Sequence, residues 1–217
     1  MVPRLMCLVS ASDDLMLLPA LAMAGVDAFQ VRDKDLERGE LIDLTLQVMA
    51  LVPAARVIVN DHLDVALTVG ADGVHLGASD MPVVAARAAA DRALVRGFLM
   101  RRFLIGATCR TAADVVAARV AGADYAGVGP VFETFSKPDL PEPLGVAGLA
   151  AALSVEQQGV PVLGIGGISA ANVTQVVAAG AHGVAVIGGI WSASDPVAAA
   201  RALAAAVAPE APAGVPA

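Results

Sequence analysis

Two aspartates stand just behind short apolar runs, Asp61 in "RVIVND" and Asp80 in "GVHLGASD". If those runs are neighbouring parallel strands, both carboxylates reach one end of a sheet, where they repel each other unless a cation lies between them. An oxygen-only pair of this kind suits Mg2+, which keeps several waters and takes one or two carboxylates together with substrate phosphate. A second cluster has the opposite sign. In "QVRDK" the residues Gln30, Arg32 and Lys34 alternate, so an extended chain projects all three from one side. The planar fork of Arg beside the compact charge of Lys suits a polyphosphate. Each feature also has a plainer reading. Asp61 could cap the helix that follows it, Asp80 one beginning near Met81-Pro82, and "QVRDK" could be a solvated strand end paired with Asp33 or Asp35. As a pair facing the basic cluster, the two acids favour a metal-assisted phosphate site.

Further along, Thr108 ends the run "LIGATC", and "GPVFETFSKPD" carries Thr134, Ser136 and Lys137 in a loop bounded by Gly and Pro. Two hydroxyls and a third cation suit closure over an anion, although a plain surface loop has the same composition. "GIGGIS" and "VIGGI" place Gly166-Gly167 and Gly188-Gly189 where backbone N–H groups could approach a phosphate. "GIGGIS" lacks the full spacing of a dinucleotide fingerprint, so no nicotinamide cofactor is expected. The histidines say little: His75 reads as structural inside a strand, His62 has no clear partner, and His182 falls in a helix-to-strand turn.

Such residues act together only if the fold gathers them. Eight β-branched or apolar runs, "LMCLVS", "AFQVR", "RVIVND", "GVHLG", "LIGATC", "YAGVGP", "PVLGIGGI" and "GVAVIGG", alternate with Ala- and Leu-rich stretches of helical spacing such as "MPVVAARAAADRALV". "AGVDAFQV", "VGADGVHL", "AGADYAGV" and "AGAHGVAV" recur roughly every fifty residues, each joining the Gly end of a helix to a strand. That interval holds two strand–helix units, so four copies predict eight strands and a single (β/α)8 TIM barrel. An open doubly wound sheet is the less favoured alternative. In such a barrel the reactive groups lie at the C-terminal ends of the strands, and loops seven and eight grip phosphate. The barrel is expected to occupy 1–207. The Pro- and Ala-rich tail 208–217 is expected to be disordered. "RALVRGFLMRRFLIG" reads as a helix end followed by an additional loop.

With 217 residues, 57% hydrophobic and 16% charged, the chain can bury one sizeable core. Its mean hydropathy of +0.71 would suggest a membrane protein if the apolar residues came in long runs. Gly, Asp, Arg or Pro breaks each run well short of the roughly 18 residues of a spanning helix. With no secretory pattern at the start, a cytoplasmic protein is expected. Cys7 and Cys109 are too few and too far apart for a disulfide framework or a metal knuckle, in keeping with a reducing compartment. A net charge of -7 argues against nucleic acid or an anionic membrane as partner, leaving small molecules. A homo-oligomer is left open.

With these motifs in this order, the chain resembles the thiamin-phosphate synthase family from Leu5 to about Val207. "QVRDK" is similar to that family's Q-x-R-x-K. "VND", the aspartate of "GVHLGASD", the "GPVFETFSK" loop, "GIGGI" and "GVAVIGGI" follow in sequence. The resemblance implies a (β/α)8 barrel that joins hydroxymethylpyrimidine diphosphate to a thiazole phosphate, releasing pyrophosphate with the help of Mg2+. It implies Asp61 and Asp80 as metal ligands. Arg32, Lys34, Asn60, Thr108 and Lys137 would grip the diphosphate, Arg32, Lys34, Thr108 and Lys137 being the catalytic set. Gln30 would meet the pyrimidine, and Thr134, Ser136, Gly167, Ile187 and Gly188 the thiazole phosphate. The chain departs from the family at Ala78-Ser79, where a Gln-Glu pair is usual, in Glu133-Thr134-Phe135-Ser136-Lys137, and at Gly188, where a serine is common. The last two lean toward a related metal-independent thiazole tautomerase, which lacks the two aspartates and has a histidine in place of Pro130. Asp61, Asp80 and "QVRDK" decide for the synthase. A catalytically silent phosphate-binding barrel is the remaining alternative.

Overall fold

All eight apolar runs form strands: β1 (Leu5–Val9), β2 (Ala28–Val31), β3 (Arg56–Asn60), β4 (Gly73–Leu76), β5 (Leu104–Cys109), β6 (Tyr125–Val128), β7 (Val162–Ile165) and β8 (Gly183–Val186). In the computed structural model, which describes residues 1–99, 102–134, 141–154 and 160–209, each strand pairs in parallel with the next. β8 returns to β1, closing the barrel. Helices α1 (Leu18–Met23), α2 (Arg38–Leu51), α3 (Leu63–Val69), α4 (Val83–Val95), α5 (Ala112–Val120), α6 (Gly145–Leu153), α7 (Val173–Ala178), a short α8 (Gly188–Trp191) and α9 (Pro196–Val207) complete the chain. Among the described residues no helix is long and apolar enough to cross a membrane. The (β/α)8 expectation holds. Of the expected tail, residues from 210 onward lie outside the described set.

The strands are apolar on both faces because both faces are covered. Cys7, Phe29, Val57 and Val74 belong to the core packed beneath the helices, while Met6, Leu8, Ala28, Ile58, Leu104, Tyr125, Leu163 and Ala185 fill the barrel itself. Side chains alternate along a strand, so residues an even number of positions from these inner ones also face the lumen. Gln30 follows Ala28, Asn60 follows Ile58 and Thr108 follows Leu104 in that step. The polar residues predicted for chemistry are therefore the top storey of the interior column.

The recurrent motif has a structural role at the opposite rim. Its glycines, Gly25, Gly70, Gly122 and Gly180, all have positive φ, between 70° and 110°, the left-handed turn that ends a helix and that only glycine adopts freely. Two residues later the carboxylates of Asp27, Asp72 and Asp124 accept the backbone N–H groups of Leu5, Val57 and Ile105 at 3.0, 2.9 and 2.8 Å. Each aspartate thus ties the start of its own strand to the strand before it. His182 occupies the same place in the fourth copy, its ring directed at the Val2 carbonyl at 3.4 Å. Asp72, 6% exposed, also pairs with Arg56 at 3.3 Å. Replacing Asp72 by Ala leaves a buried N–H without its acceptor and should destabilise the fold by about 2 kcal/mol in urea unfolding. Turnover should be unaffected, because the substitution lies at the far end of the barrel.

The Arg-rich segment behaves as a helix end: α4 stops at a turn through Gly97, whose φ is 76°. Arg102 then pairs with Asp124 at 2.7 Å. Residues 100 and 101 lie outside the described set.

Candidate active site

β2 supplies the floor and the first wall. Gln30 is 3% exposed and its amide donates to the Met6 sulfur at 3.2 Å. Arg32, two residues on, is held by its N–H on the Val9 carbonyl at 2.8 Å. Lys34 reaches sideways to form an ion pair with the Asp61 carboxylate. Asn60 ends β3 opposite His75 of β4, and the chain then turns sharply. Asp61 has φ 63°, the positive value found among the described residues outside glycine. The left-handed conformation is unusual for a non-glycine residue, and such strain concentrates where a side chain has to be aimed. Here the Asp61 N–H bonds the His75 carbonyl at 2.8 Å, and the carboxylate swings to Lys34 and Asp80.

Neither acid caps a helix. α3 is preceded by His62 and α4 by Pro82, both without a side-chain cap. Asp80 instead accepts the Gly77 N–H at 2.7 Å, which turns its carboxyl toward Asp61. The two are in hydrogen-bonding contact. Burial raises the Asp80 carboxyl above its ordinary range, and the neighbouring Asp61 raises it further. At Asp61 burial acts in the same direction, but the bond from Asp80 and the Lys34 ammonium outweigh it, so this group titrates below the usual range. Two carboxylates this close do not both ionise without a compensating cation.

The donor set fits Mg2+. Among the described residues no three His, Cys, Asp or Glu side chains converge to enclose a metal, and Mg2+ usually takes one or two carboxylates and completes its shell with water and phosphate. Gly77 keeps the cradle open. A Cβ there would lie 2.8 Å from Asp80 Oδ2 and 4.0 Å from Asp61 Oδ1.

Thr108 lies beside a group that spacing does not reveal. His75 Nε2 is 3.1 Å from Thr108 Oγ1, and its Nδ1 is 3.2 Å from the Tyr125 hydroxyl. The signal available in the sequence was glycine. A Cβ on Gly106 would fall 2.2 Å from the Tyr125 ring and 2.5 Å from His75 Nδ1, and one on Gly127 would fall 3.0 Å from His75. Burial holds His75 neutral, lowering its pKa to about 4. The unfolded imidazole gains a proton near pH 6.5 and the folded one only near pH 4, so stability from this group is complete above 6.5 and lost as pH falls between the two values. Wild type should lose up to about 3 kcal/mol more than His75→Gln across that window, read from urea midpoints at each pH.

The remaining strand ends form the other half of the rim. The Val131 and Phe132 N–H groups bond the Ile165 and Gly166 carbonyls at 2.8 and 3.0 Å, and a Cβ on Gly167, whose φ is 64°, would strike the Glu133 carbonyl at 2.4 Å. The segment leading to Thr134 is therefore laid directly on the Gly166-Gly167 turn. A Cβ on Gly189 would meet the Ile168 carbonyl at 2.1 Å, which joins the seventh loop to Ile187 and Gly188 at the start of α8. Helix starts leave backbone N–H groups unspent and favour anions. Gln30, Arg32, Lys34, Asn60, Asp61, Asp80 and Thr108 thus gather on the ends of β2 to β5, and Thr134, Gly167, Ile187 and Gly188 on those of β6 to β8. Ser136 and Lys137 lie outside the described residues.

The sequence model of a family described as thiamine monophosphate synthase matches residues 5–190. The chain is 44% identical over 187 residues to the thiamine-phosphate synthase of Methanoculleus marisnigri, covering 84% of this chain and 82% of that protein. It is 45% identical over 198 residues to a thiamine biosynthesis bifunctional protein of Symbiobacterium thermophilum, covering 90% of this chain but 39% of that longer protein. The structure of a thiamine phosphate pyrophosphorylase from Pyrococcus furiosus superposes with a TM-score of 0.79 at 29% identity, covering 94% of this chain and 95% of that one.

Proposed function

Because the chain belongs to the thiamine monophosphate synthase family, we propose that its polar rim joins hydroxymethylpyrimidine diphosphate to thiazole phosphate by a dissociative, Mg2+-assisted route in the cytoplasm. The protein is an enzyme, a transferase that forms thiamin phosphate. The observation that carries the mechanistic reading is the cluster of Lys34, Asp61 and Asp80 around the opening left by Gly77.

Asp61 and Asp80 would hold Mg2+, whose charge offsets that of the diphosphate. Arg32, Lys34, Asn60, Thr108 and Lys137 then serve one anion from several sides. Fixed donors stabilise charge as it develops on a leaving group without reorganising, each contributing on the order of 10²-fold or more. The bond from the pyrimidine methylene carbon to the diphosphate oxygen breaks with its electron pair going to oxygen. The resulting pyrimidine cation, oriented by Gln30, is captured by the lone pair of the thiazole nitrogen. No proton need move in either step, in keeping with a rim that offers cations and hydroxyls in place of a general base. Thr134, Ser136, Gly167, Ile187 and Gly188 would seat the thiazole phosphate, with a backbone N–H at Gly188 where a hydroxyl is common.

Incubation of the purified protein with both precursors and Mg2+ tests the reading. Thiamin phosphate and pyrophosphate should appear in equal amounts. Binding of both precursors without product would instead make the barrel a sensor or carrier.

A further inference from the structure

The hydrogen-bond chain from Tyr125 to the rim runs through one ring. His75 and Tyr125 sit on strands either side of β5, and their rings meet across Gly106, with centroids 5.5 Å apart. Tyr125 is wholly buried among Met6, Leu8, Ile58, Leu104 and Leu163. Among the described residues its hydroxyl has His75 Nδ1 as hydrogen-bond partner. A buried hydroxyl that can donate does so, and here the ring nitrogen is the acceptor at hand. Nδ1 then carries no hydrogen. A neutral imidazole has one N–H, which must be at Nε2, 3.1 Å from Thr108 Oγ1. Thr108 therefore accepts from the ring and keeps its own proton for something else. Thr108 is exposed at the barrel mouth, where the Asp61 and Lys34 pair also lies.

We propose that His75 is a positioning residue for the reaction: fixed by Tyr125, it donates Nε2–H to Thr108 and so turns the Thr108 hydroxyl proton toward the departing diphosphate. This rests on the reading of Thr108 as a diphosphate contact. The opposite tautomer has a defined cost. Nδ1–H would donate to Tyr125, stranding the phenol proton among aliphatic side chains, and Thr108 would spend its proton on Nε2 and offer the diphosphate only lone pairs. Two anionic or lone-pair surfaces facing each other repel. The Tyr125 hydroxyl, far from the reacting atoms, thus sets which way a rim hydroxyl points. Tautomer selection by the partner of the other ring nitrogen is the general means by which histidines are oriented.

The direct test is a long-range 1H–15N correlation spectrum of the full-length protein labelled at its three histidines, with His75→Gln identifying the His75 signals. The expected spectrum has Nε2 protonated and Nδ1 bare; a protonated Nδ1 overturns the proposal. Kinetics with both precursors give the second reading. Gln places an amide N–H near the position of Nε2, whereas Asn ends near Nδ1 and cannot reach Thr108. His75→Asn should lower kcat about tenfold or more with KM for the diphosphate substrate little changed, and His75→Gln should recover most of it. Equal losses in the two variants, or full activity in His75→Asn, overturn the proposal. Thr108→Val separates the two layers. If it turns over like wild type, Thr108 makes no diphosphate contact and both readings fall. If it is slow while His75→Asn is not, only the role of His75 falls.

Discussion

Stripping Mg2+ with EDTA should reduce thiamin phosphate formation on the order of 10³-fold or more, and readdition of Mg2+ should restore it. The expectation follows from charge. Asp61 and Asp80 lie in hydrogen-bonding contact, and the Lys34 ammonium that offsets them is 54% exposed and already engaged by Asp61. A diphosphate brought to this rim without a divalent cation meets two acids beside the cations that would hold it. The overall charge of -7 adds no attraction at longer range, so recognition of the anion has to be local. The measurement is pyrophosphate release under saturating precursors, with thermal unfolding followed in parallel to show that the protein remains folded. Turnover of a thiazole substrate that survives EDTA would point to metal-independent isomerisation on the same barrel and would set aside the roles assigned to the two aspartates.

Much of the barrel could be read from the chain because its strands are buried on both faces. Runs such as "LMCLV" and "GVAV" leave no polar face for solvent, and the Gly near the start of each repeat marks where a helix yields to a strand. The aspartate in three of the four repeats carries no such signal. Its bond to the preceding strand depends on register, which the spacing of residues within one strand does not carry. The acids at the other rim show the same limit. From sequence, either acid alone reads as a helix cap, and only as a pair facing "QVRDK" do Asp61 and Asp80 favour a shared site. What separates these is the positive φ at Asp61 and the Gly77 N–H that claims Asp80. The residue type only permits the first, Asp being among the few non-glycine residues that tolerate the left-handed turn, and the bond that accompanies it, to the His75 carbonyl, lies on the neighbouring strand. His75 itself was least legible. Its partners lie 50 and 33 residues away, and only the two glycines that clear space for its ring, Gly106 and Gly127, hint that something large faces them.

Asp61→Asn should lower kcat on the order of 10²-fold or more and weaken Mg2+ binding at least about tenfold, while leaving the unfolding midpoint nearly where it was. The separation of these effects is what makes the variant informative. Asn has the shape of Asp and is among the residues that best tolerate positive φ, so the turn at φ 63° can be retained. The ion pair that is lost involves a lysine more than half exposed, and such pairs contribute at most about 1 kcal/mol. The chemical change is larger: one of the two proposed anionic ligands becomes a neutral amide, and its NH2 group would present hydrogen where a cation needs a lone pair. Asp61→Ala is the contrasting case, because Ala at this φ adds backbone strain of roughly 1 kcal/mol to the same loss of ligand. The Asn and Ala variants should therefore be similarly slow but differ in stability. Calorimetric titration of Mg2+ into each protein, with no substrate present, reads the ligand role apart from turnover. Wild-type affinity and wild-type rates in Asp61→Asn would mean that the turn aims this carboxylate at Lys34 alone, as a strut of the rim with no part in holding the metal.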